Sequence, residues 1–402
     1  ILLRDSVPLW QKALTVIYMY KNLIIIFLSL ALVQSGSLLM TSTNTLIGLD
    51  LTGSESLSTL PVSLNIIASL LLTIPASFFM ARFGRKSGFL LGILFGLVGT
   101  SFVILGLYTR SFVIFCMGSI FMGFLNSFST YFRFAAAEVS HRDFKSRAVS
   151  LVLASGVIAA LVGPNLYKWG LSIFQELKFM GGFILLYPLY AIAFTILLFL
   201  NTGKPTAMNW KTSKSTKELL LKTPLLKIIA LGSFAYIVMV LIMVATPLGM
   251  NHYHFGMNDI TQVIQFHVLG MFVPSFFTGS LIKRFGDRKI MLAGAMLFLI
   301  CAWINFIGHS HMHFISSLIL LGVGWNFLYV GATTLLSYQI HAEDQPKAQA
   351  LNDFFVTAFA AISIASSGKL HEALGWANLN LLAVPITVLG IAIIMRKQKV
   401  TG

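Results

Sequence analysis

Few side chains in this 402-residue chain could do chemistry, and most of those lie inside long apolar runs. An ionisable group in hydrocarbon costs a few kcal/mol or more unless it is paired or hydrated, so each one is a functional candidate. Arg133 and Asp353 each lie about six residues, roughly 9 Å, inside the same end of their runs. Their matched depth predicts a pair that links two parts of the molecule and breaks as they separate. Within its own helix, the alternative partner of Arg133 is Glu138. His267 lies about eight residues, roughly 12 Å, inside its run, and its ordinary pKa near neutrality suits proton coupling. A packed, hydrogen-bonded histidine is the competing reading. Glu138 and Asp353 are the other proton-coupling candidates.

A second set of reactive side chains is His252-Tyr253-His254 and His309-Ser310-His311-Met312-His313. Alternating imidazoles on a loop suit zinc, copper, nickel or iron, so His252, His254, His309, His311 and His313 are candidate metal ligands. No cysteine accompanies them, and the opposing reading is of loop histidines that bind nothing. Cys116 and Cys301 fall inside apolar runs without CxxC spacing and read as buried thiols. The absence of HExxH, GxSxG, a P-loop and paired intramembrane aspartates argues against an enzyme and against ATP as the energy source. No cofactor is expected.

These residues must be positioned by helices. The chain is 57% hydrophobic and 10% charged, with a mean hydropathy of +0.85, which places it in a bilayer. Lipid offers no partner for backbone polar groups, so runs of roughly 20 apolar residues must be helical. Twelve spans are predicted, at 22–47, 58–81, 87–108, 111–137, 148–167, 179–200, 225–249, 259–282, 289–308, 314–338, 348–367 and 377–395. The formal charge of +15 would suggest nucleic acid in a soluble protein, but its distribution has another cause. Of 28 Lys and Arg, 23 fall in segments on one side, four in loops on the other, and Arg133 within a span. The positive-inside rule makes the first side, with both termini, cytoplasmic.

Helical spacing then gathers the polar residues. Gln34, Ser37, Thr41 and Asn44 share a face of the first span. Asn126, Thr130 and Arg133 do so in the fourth, Asn326, Tyr329, Thr333 and Ser337 in the tenth, and Tyr236 with Ser233 and Met243 more weakly in the seventh. Such stripes must face protein or water. A hydrated cavity is therefore predicted, lined by Gln34, Ser37, Thr41, Asn126, Thr130, Arg133, Tyr236, Asn326 and Tyr329. The stripe Asn65, Ser69, Thr73 and Ser77 of the second span is assigned instead to bonds between neighbouring helices.

The chain also repeats itself. Arg82-Phe83-Gly84-Arg85-Lys86 returns as Arg284-Phe285-Gly286-Asp287-Arg288, with the two Phe-Gly pairs 202 positions apart. This duplication predicts two related halves. The expected organisation is a cytoplasmic segment 1–21, with a possible interfacial helix at Leu9 to Tyr20, then a six-helix bundle 22–200. A basic linker 201–224, a second bundle 225–395 and a tail 396–402 follow.

Through these two turns and its twelve spans, the whole chain resembles the major facilitator superfamily. The resemblance implies an all-α polytopic membrane protein of twelve transmembrane helices in two pseudo-symmetric six-helix bundles. It implies gating roles for Arg82, Gly84, Arg85 and Lys86, and for Arg284, Gly286, Asp287 and Arg288 in the degenerate second copy. The signature's opening Gly and its acid are replaced by Ser77 and Ala81, so the counter-charges are expected to come from Glu138, Arg133, Asp287 and Asp353. Gly156 and Gly163-Pro164 resemble part of the family's antiporter signature, which adds Gly163 and Pro164 to the gating set.

Together these readings predict a monomeric secondary active transporter of a small organic solute in the bacterial inner membrane, working by alternating access and coupled to protons. Its direction is open. Import of a metal chelate of the siderophore kind or another nutrient, or carriage of a transition metal on the outer-loop histidines, are the alternatives.

Overall fold

The computed structural model describes residues 9–53, 57, 60–177, 179–202 and 215–396. Residues 1–8, most of the predicted linker and the tail beyond Arg396 lie outside them, as do the side chains of Thr41 and Pro164. The described residues form helices and connecting turns, with no strand. The first half contains α1 (Leu9–Thr52), α2 (Leu60–Phe83), α3 (Arg85–Tyr108), α4 (Phe112–Ser129), α5 (Phe132–Glu138), α6 (Lys145–Leu153), α7 (Ser155–Ile173), α8 (Met180–Ile184) and α9 (Leu186–Leu198). A short connecting helix, α10 (Thr216–Lys222), precedes the second half. That half contains α11 (Leu225–His252), α12 (Met257–Phe272), α13 (Ser275–Phe285), α14 (Asp287–Ile307), α15 (His311–Gln339) and α16 (Gln345–Met395).

Eleven of these stretches are long and apolar enough to cross a membrane, and a twelfth is made by α12 and α13 together, bent by 40°. The bend falls at Val273-Pro274, where proline cannot donate the expected helical hydrogen bond. Predicted spans 11 and 12 remain two crossings, Gln345–Gly368 and Leu370–Met395, which α16 joins with a break in helical geometry at Gly375, φ 73° and ψ 173°. Helix α1 runs from Leu9 without a break at residue 21, so the expected interfacial segment is continuous with the first span.

The duplication is structural. Gly84 and Gly286 both adopt positive φ, 88° and 87°, a conformation that glycine alone adopts at little cost. Each thereby turns the chain sharply between two spans. Ser111 and Ser310 cap α4 and α15 at equivalent places by accepting the backbone N–H of Ile114 and His313. Each half builds its own core: Ile26, Phe89, Phe115 and Tyr190 in the first, Phe234, Phe298, Phe314 and Leu379 in the second. The halves meet along two symmetry-related seams, α2 against α16 and α6 against α13.

Candidate functional site

Where the seams meet, Arg133 of α5 reaches Asp353 of α16, and the two side chains form a buried ion pair, each residue 4% exposed. Asn352 supports it by donating its amide to the same Asp353 oxygen at 2.9 Å. One turn earlier on α16, Gln349 accepts a bond from Arg85 at 2.5 Å. Arg85 also holds Glu138 at 3.0 and 2.5 Å. Gln349 and Asp353, four residues apart and so on one helical face, thus engage Arg85 and Arg133 as two rungs of a latch. Glu138 belongs to Arg85, not to Arg133, the alternative considered for it.

The seams on either side are closed by backbone acceptors. Ser77 donates to the carbonyl of Pro346 at 2.6 Å. Across the symmetry-related seam, Ser146 donates to the carbonyl of Gly279 at 3.0 Å, and Ser150 bonds both the carbonyl of Ser275 and the N–H of Gly279. Lys145 reaches the carbonyl of Ser337, and Tyr338 that of Arg142. These bonds between the halves all lie toward the face that carries the basic turns, so that face is shut. Ala81 lines a cavity of about 270 Å³ there with Arg85, Glu138 and Lys145.

Above the latch the two halves present unlike walls. The first half is polar. Ser37 donates to Asn126 at 2.7 Å, Asn126 to Asn65 at 3.1 Å, and Asn65 to the carbonyl of Ser119 at 3.0 Å. Ser37, Asn65, Asn126, Thr130 and Gln34 are all half-buried, and Gln34 Oε1 has no protein partner. The second half is aromatic. Trp325 and Tyr329, one turn apart on α15, stack at 4.7 Å between centroids, and Tyr236 of α11 sets its edge against both, at 5.4 and 5.3 Å. Trp325 is 2% and Tyr329 7% exposed, so the pair is closed on itself here and Tyr236 alone is half-buried. The Arg133 guanidinium lies over the Tyr329 ring at 4.5 Å, joining the latch to this wall. Trp325 Nε1 is buried without a partner.

Several expected residues stand elsewhere. Asn326 is fully buried; it donates to the carbonyl of Met271 at 2.7 Å and to Ser275 and accepts from Thr278, so it ties α15 to α12 and α13 and does not line the cavity. His267 is fully buried, with Nδ1 2.8 Å from the carbonyl of Leu318, packed between helices. Arg82 and Arg284 are exposed, each stacked on the phenylalanine that follows it, away from the seams. Lys86 and Arg288 bond the carbonyls of Leu198 and Met395 within their own halves. Asp287 accepts the N–H of Arg288 and has no part in the latch. Gly163 permits α7 to approach α1, since a Cβ there would meet Leu38 Cβ at 2.7 Å.

The loop histidines are separately engaged: His309 stacks on Tyr253 at 4.3 Å, and His313 is 2.6 Å from Ser310. His311 lies 3.9 Å from Asp259. Among the described residues no three His, Cys, Asp or Glu side chains come together to hold a metal.

Three contributors were not singled out from sequence. Trp325 was legible in principle, because it precedes Tyr329 by four positions and shares its face. Asn65 was placed in a purely structural stripe, and Gln349 was an uncharged residue whose partner lies 264 positions away.

A sequence model described as Major Facilitator Superfamily matches residues 23–273 and 228–401. The riboflavin transporter RfnT of Brucella anthropi is 35% identical over 386 residues, covering 95% of this chain and 97% of that protein. YddS of Bacillus subtilis, described as an uncharacterized MFS-type transporter, is 28% identical over 368 residues, 85% of this chain and 84% of the relative. Among solved structures, the human organic anion transporter MFSD10 superimposes with a TM-score of 0.75 at 12% identity, covering 94% of this chain and 99% of that one. A bacterial homologue of the iron transporter ferroportin in its outward-facing state gives 0.71 at 14% identity, with 93% and 98% covered.

Proposed function

The chain belongs to the major facilitator superfamily, and from that premise we propose that it is a proton-coupled secondary transporter of the bacterial inner membrane whose cargo is a flavin-like molecule, a flat heteroaromatic ring carrying hydroxyl groups. The observation that carries this reading is the unlike pair of walls. Stacked Trp325 and Tyr329, with Tyr236 at their edge, suit a planar ring. Ser37, Asn126 and Asn65 of the first half suit a chain of hydroxyls. The 35% identity to a riboflavin transporter over nearly the whole length supports the same cargo.

The charge distribution makes the basic face cytoplasmic. With that face latched, alternating access would open the cargo site to the other side. Coupling follows from what the latch loses on opening. Arg85 keeps Glu138, which belongs to its own half, but Arg133 and Asp353 lose each other. Leaving one member of a buried pair uncompensated costs about 3–5 kcal/mol, and a proton on Asp353 removes the acid's share. Proton uptake by Asp353 thereby becomes linked to opening toward the cytoplasm. Asp353 is preferred over His267, whose ring is locked by a backbone carbonyl away from the seams.

The test is flux of labelled riboflavin in proteoliposomes under imposed pH gradients of either sign. Accumulation that follows the gradient and collapses with a protonophore is expected, and the sign that drives it gives the direction of transport. Absence of riboflavin flux, or flux indifferent to the gradient, would overturn the cargo or the coupling respectively.

A further inference from the structure

The second basic turn has a feature that transport leaves unexplained. In both halves the turn closes the end of the last helix of its bundle: Lys86 Nζ donates to the carbonyl of Leu198 at 2.5 Å, and Arg288 to that of Met395 at 2.8 Å. In the first half the neighbouring Arg85 is neutralised by Glu138. In the second half the compensation is incomplete. Lys227, Arg288 and Arg396 surround a cavity of about 280 Å³ with one carboxylate, Asp287, among its lining residues. Lys227 Nζ spends one donor on the carbonyl of Arg396 at 2.9 Å, and Arg288 spends one nitrogen on the end of α16. Their remaining donors, and the Arg396 guanidinium, face an excess of two positive charges.

A second observation narrows the ligand. Gln339, which also lines the cavity, has Oε1 buried without a partner. The cavity offers cationic donors together with the carboxylate oxygens of Asp287, one of which accepts the Arg288 N–H, as acceptors for a hydroxyl. That combination suits an oxyanion bearing a hydroxyl, and the apolar side of the cavity, Ile228 and Ile394, borders the end of α16.

We propose that this cavity binds a phosphate group carrying a neighbouring hydroxyl, the chemistry shared by a phosphatidylglycerol headgroup and by soluble glycerol phosphate. Charge-assisted hydrogen bonds to phosphate are among the stronger polar contacts available to Lys and Arg. The bound group would bridge the basic-face ends of α11, α14, α15 and α16. Gln339 and Leu335 sit on the same turns of α15 as Ser337 and Tyr338, which hold Lys145 and Arg142 of the first half. Occupancy therefore reinforces the shut seal and makes gating responsive to anions on that face.

The test is thermal unfolding of the purified full-length protein with dihexanoyl phosphatidylglycerol, dihexanoyl phosphatidylcholine, glycerol 3-phosphate, or sodium chloride of matched ionic strength. A saturable rise in Tm with the glycerol phosphodiester, absent with phosphatidylcholine and with salt, is expected. A rise with phosphatidylglycerol alone identifies a lipid site, and one with both phosphates a soluble-phosphate site. Apparent affinity should fall about fivefold for each charge removed, in Arg396→Gln and further in Lys227→Gln/Arg396→Gln. The single variant matters because the exposed Arg396 side chain holds no helix end in place, so its loss leaves folding intact. An equal rise with phosphatidylcholine or salt, or an undiminished rise in Arg396→Gln, would overturn the proposal.

Discussion

The i, i+4 spacing of Trp325 and Tyr329 puts both on the face of α15 that Tyr236 of α11 also meets, and because both are buried here a flat ring would stack on them by parting the pair. An aromatic pair of this kind contributes about 0.5–1.5 kcal/mol beyond burial. Trp325→Ala should therefore weaken riboflavin binding about tenfold or more and Trp325→Phe about threefold or less, read by quenching of flavin fluorescence on titration. Equal affinity of the alanine variant and the parent would remove the stacking role. At the latch, Asp353→Asn keeps the shape and removes the charge that Arg133 meets only when the basic face is shut. We expect that variant to favour the cytoplasm-open state and to lose pH-driven accumulation while retaining downhill exchange of riboflavin. If gradient-driven accumulation persisted at the parental level, Asp353 would not be the coupling group. Arg133 and Asp353 were legible as candidates because lipid makes isolated charges expensive. Their contact was suggested by depth alone, since helical rotation is not written in a span's length.

At the scale of elements, the seam between α6 and α13 depends on close approach of backbones. A Cβ on Gly279 would lie 2.4 Å from the carbonyl oxygen of Ser146 and 2.6 Å from Arg147 Cα. Gly279→Leu should separate these helices, break the bonds of Ser146 and Ser150, and raise labelling of a cysteine introduced on the cytoplasmic side of the latch. The two turns at Gly84 and Gly286 make a different demand. Both hold φ near +88° with open space around the missing side chain of Gly286. An alanine at its φ of 87° and ψ of 152° costs about 1–3 kcal/mol through backbone strain alone. Gly286→Ala should lower thermal stability by that order without changing which face is labelled. The turns were visible in sequence as Phe-Gly between basic residues. The bend at Pro274 and the break in helical geometry at Gly375 were not, because length and hydropathy do not report direction.

For the whole molecule, closure of the basic face predicts access from the opposite one. Ser37→Cys, on the half-buried polar wall, should react with an impermeant maleimide from that face, while the buried Cys116 and Cys301 stay protected. Riboflavin should slow the labelling. Reaction only from the basic face would contradict the latched state. The same architecture explains why Asn126 and Asn326, 200 positions apart, behave differently. Each bonds a neighbouring helix of its own half, but Asn126 remains half-buried on the polar wall, whereas Asn326 is enclosed by Ser275, Thr278 and Met271. Pseudo-symmetric halves thus carry unlike side chains at equivalent depths, polar in the first and aromatic in the second.

The sequence by itself determined the membrane environment, the helical spans and the two related halves. These follow from composition, run length and repetition, which are properties of the chain read in one dimension. It also narrowed the intramembrane charges to Arg133, Asp353, His267 and Glu138. Only the tertiary structure decided that Arg85 rather than Arg133 holds Glu138, that His267 is packed against Leu318, and that Trp325 joins the aromatic wall. Those outcomes depend on the rotation of each helix about its axis and, for Arg85 with Glu138 and His267 with Leu318, on residues 53 and 51 positions apart meeting between neighbouring helices. Polar stripes in a single helix show which face avoids lipid, but not whether that face meets a cavity or a neighbouring backbone.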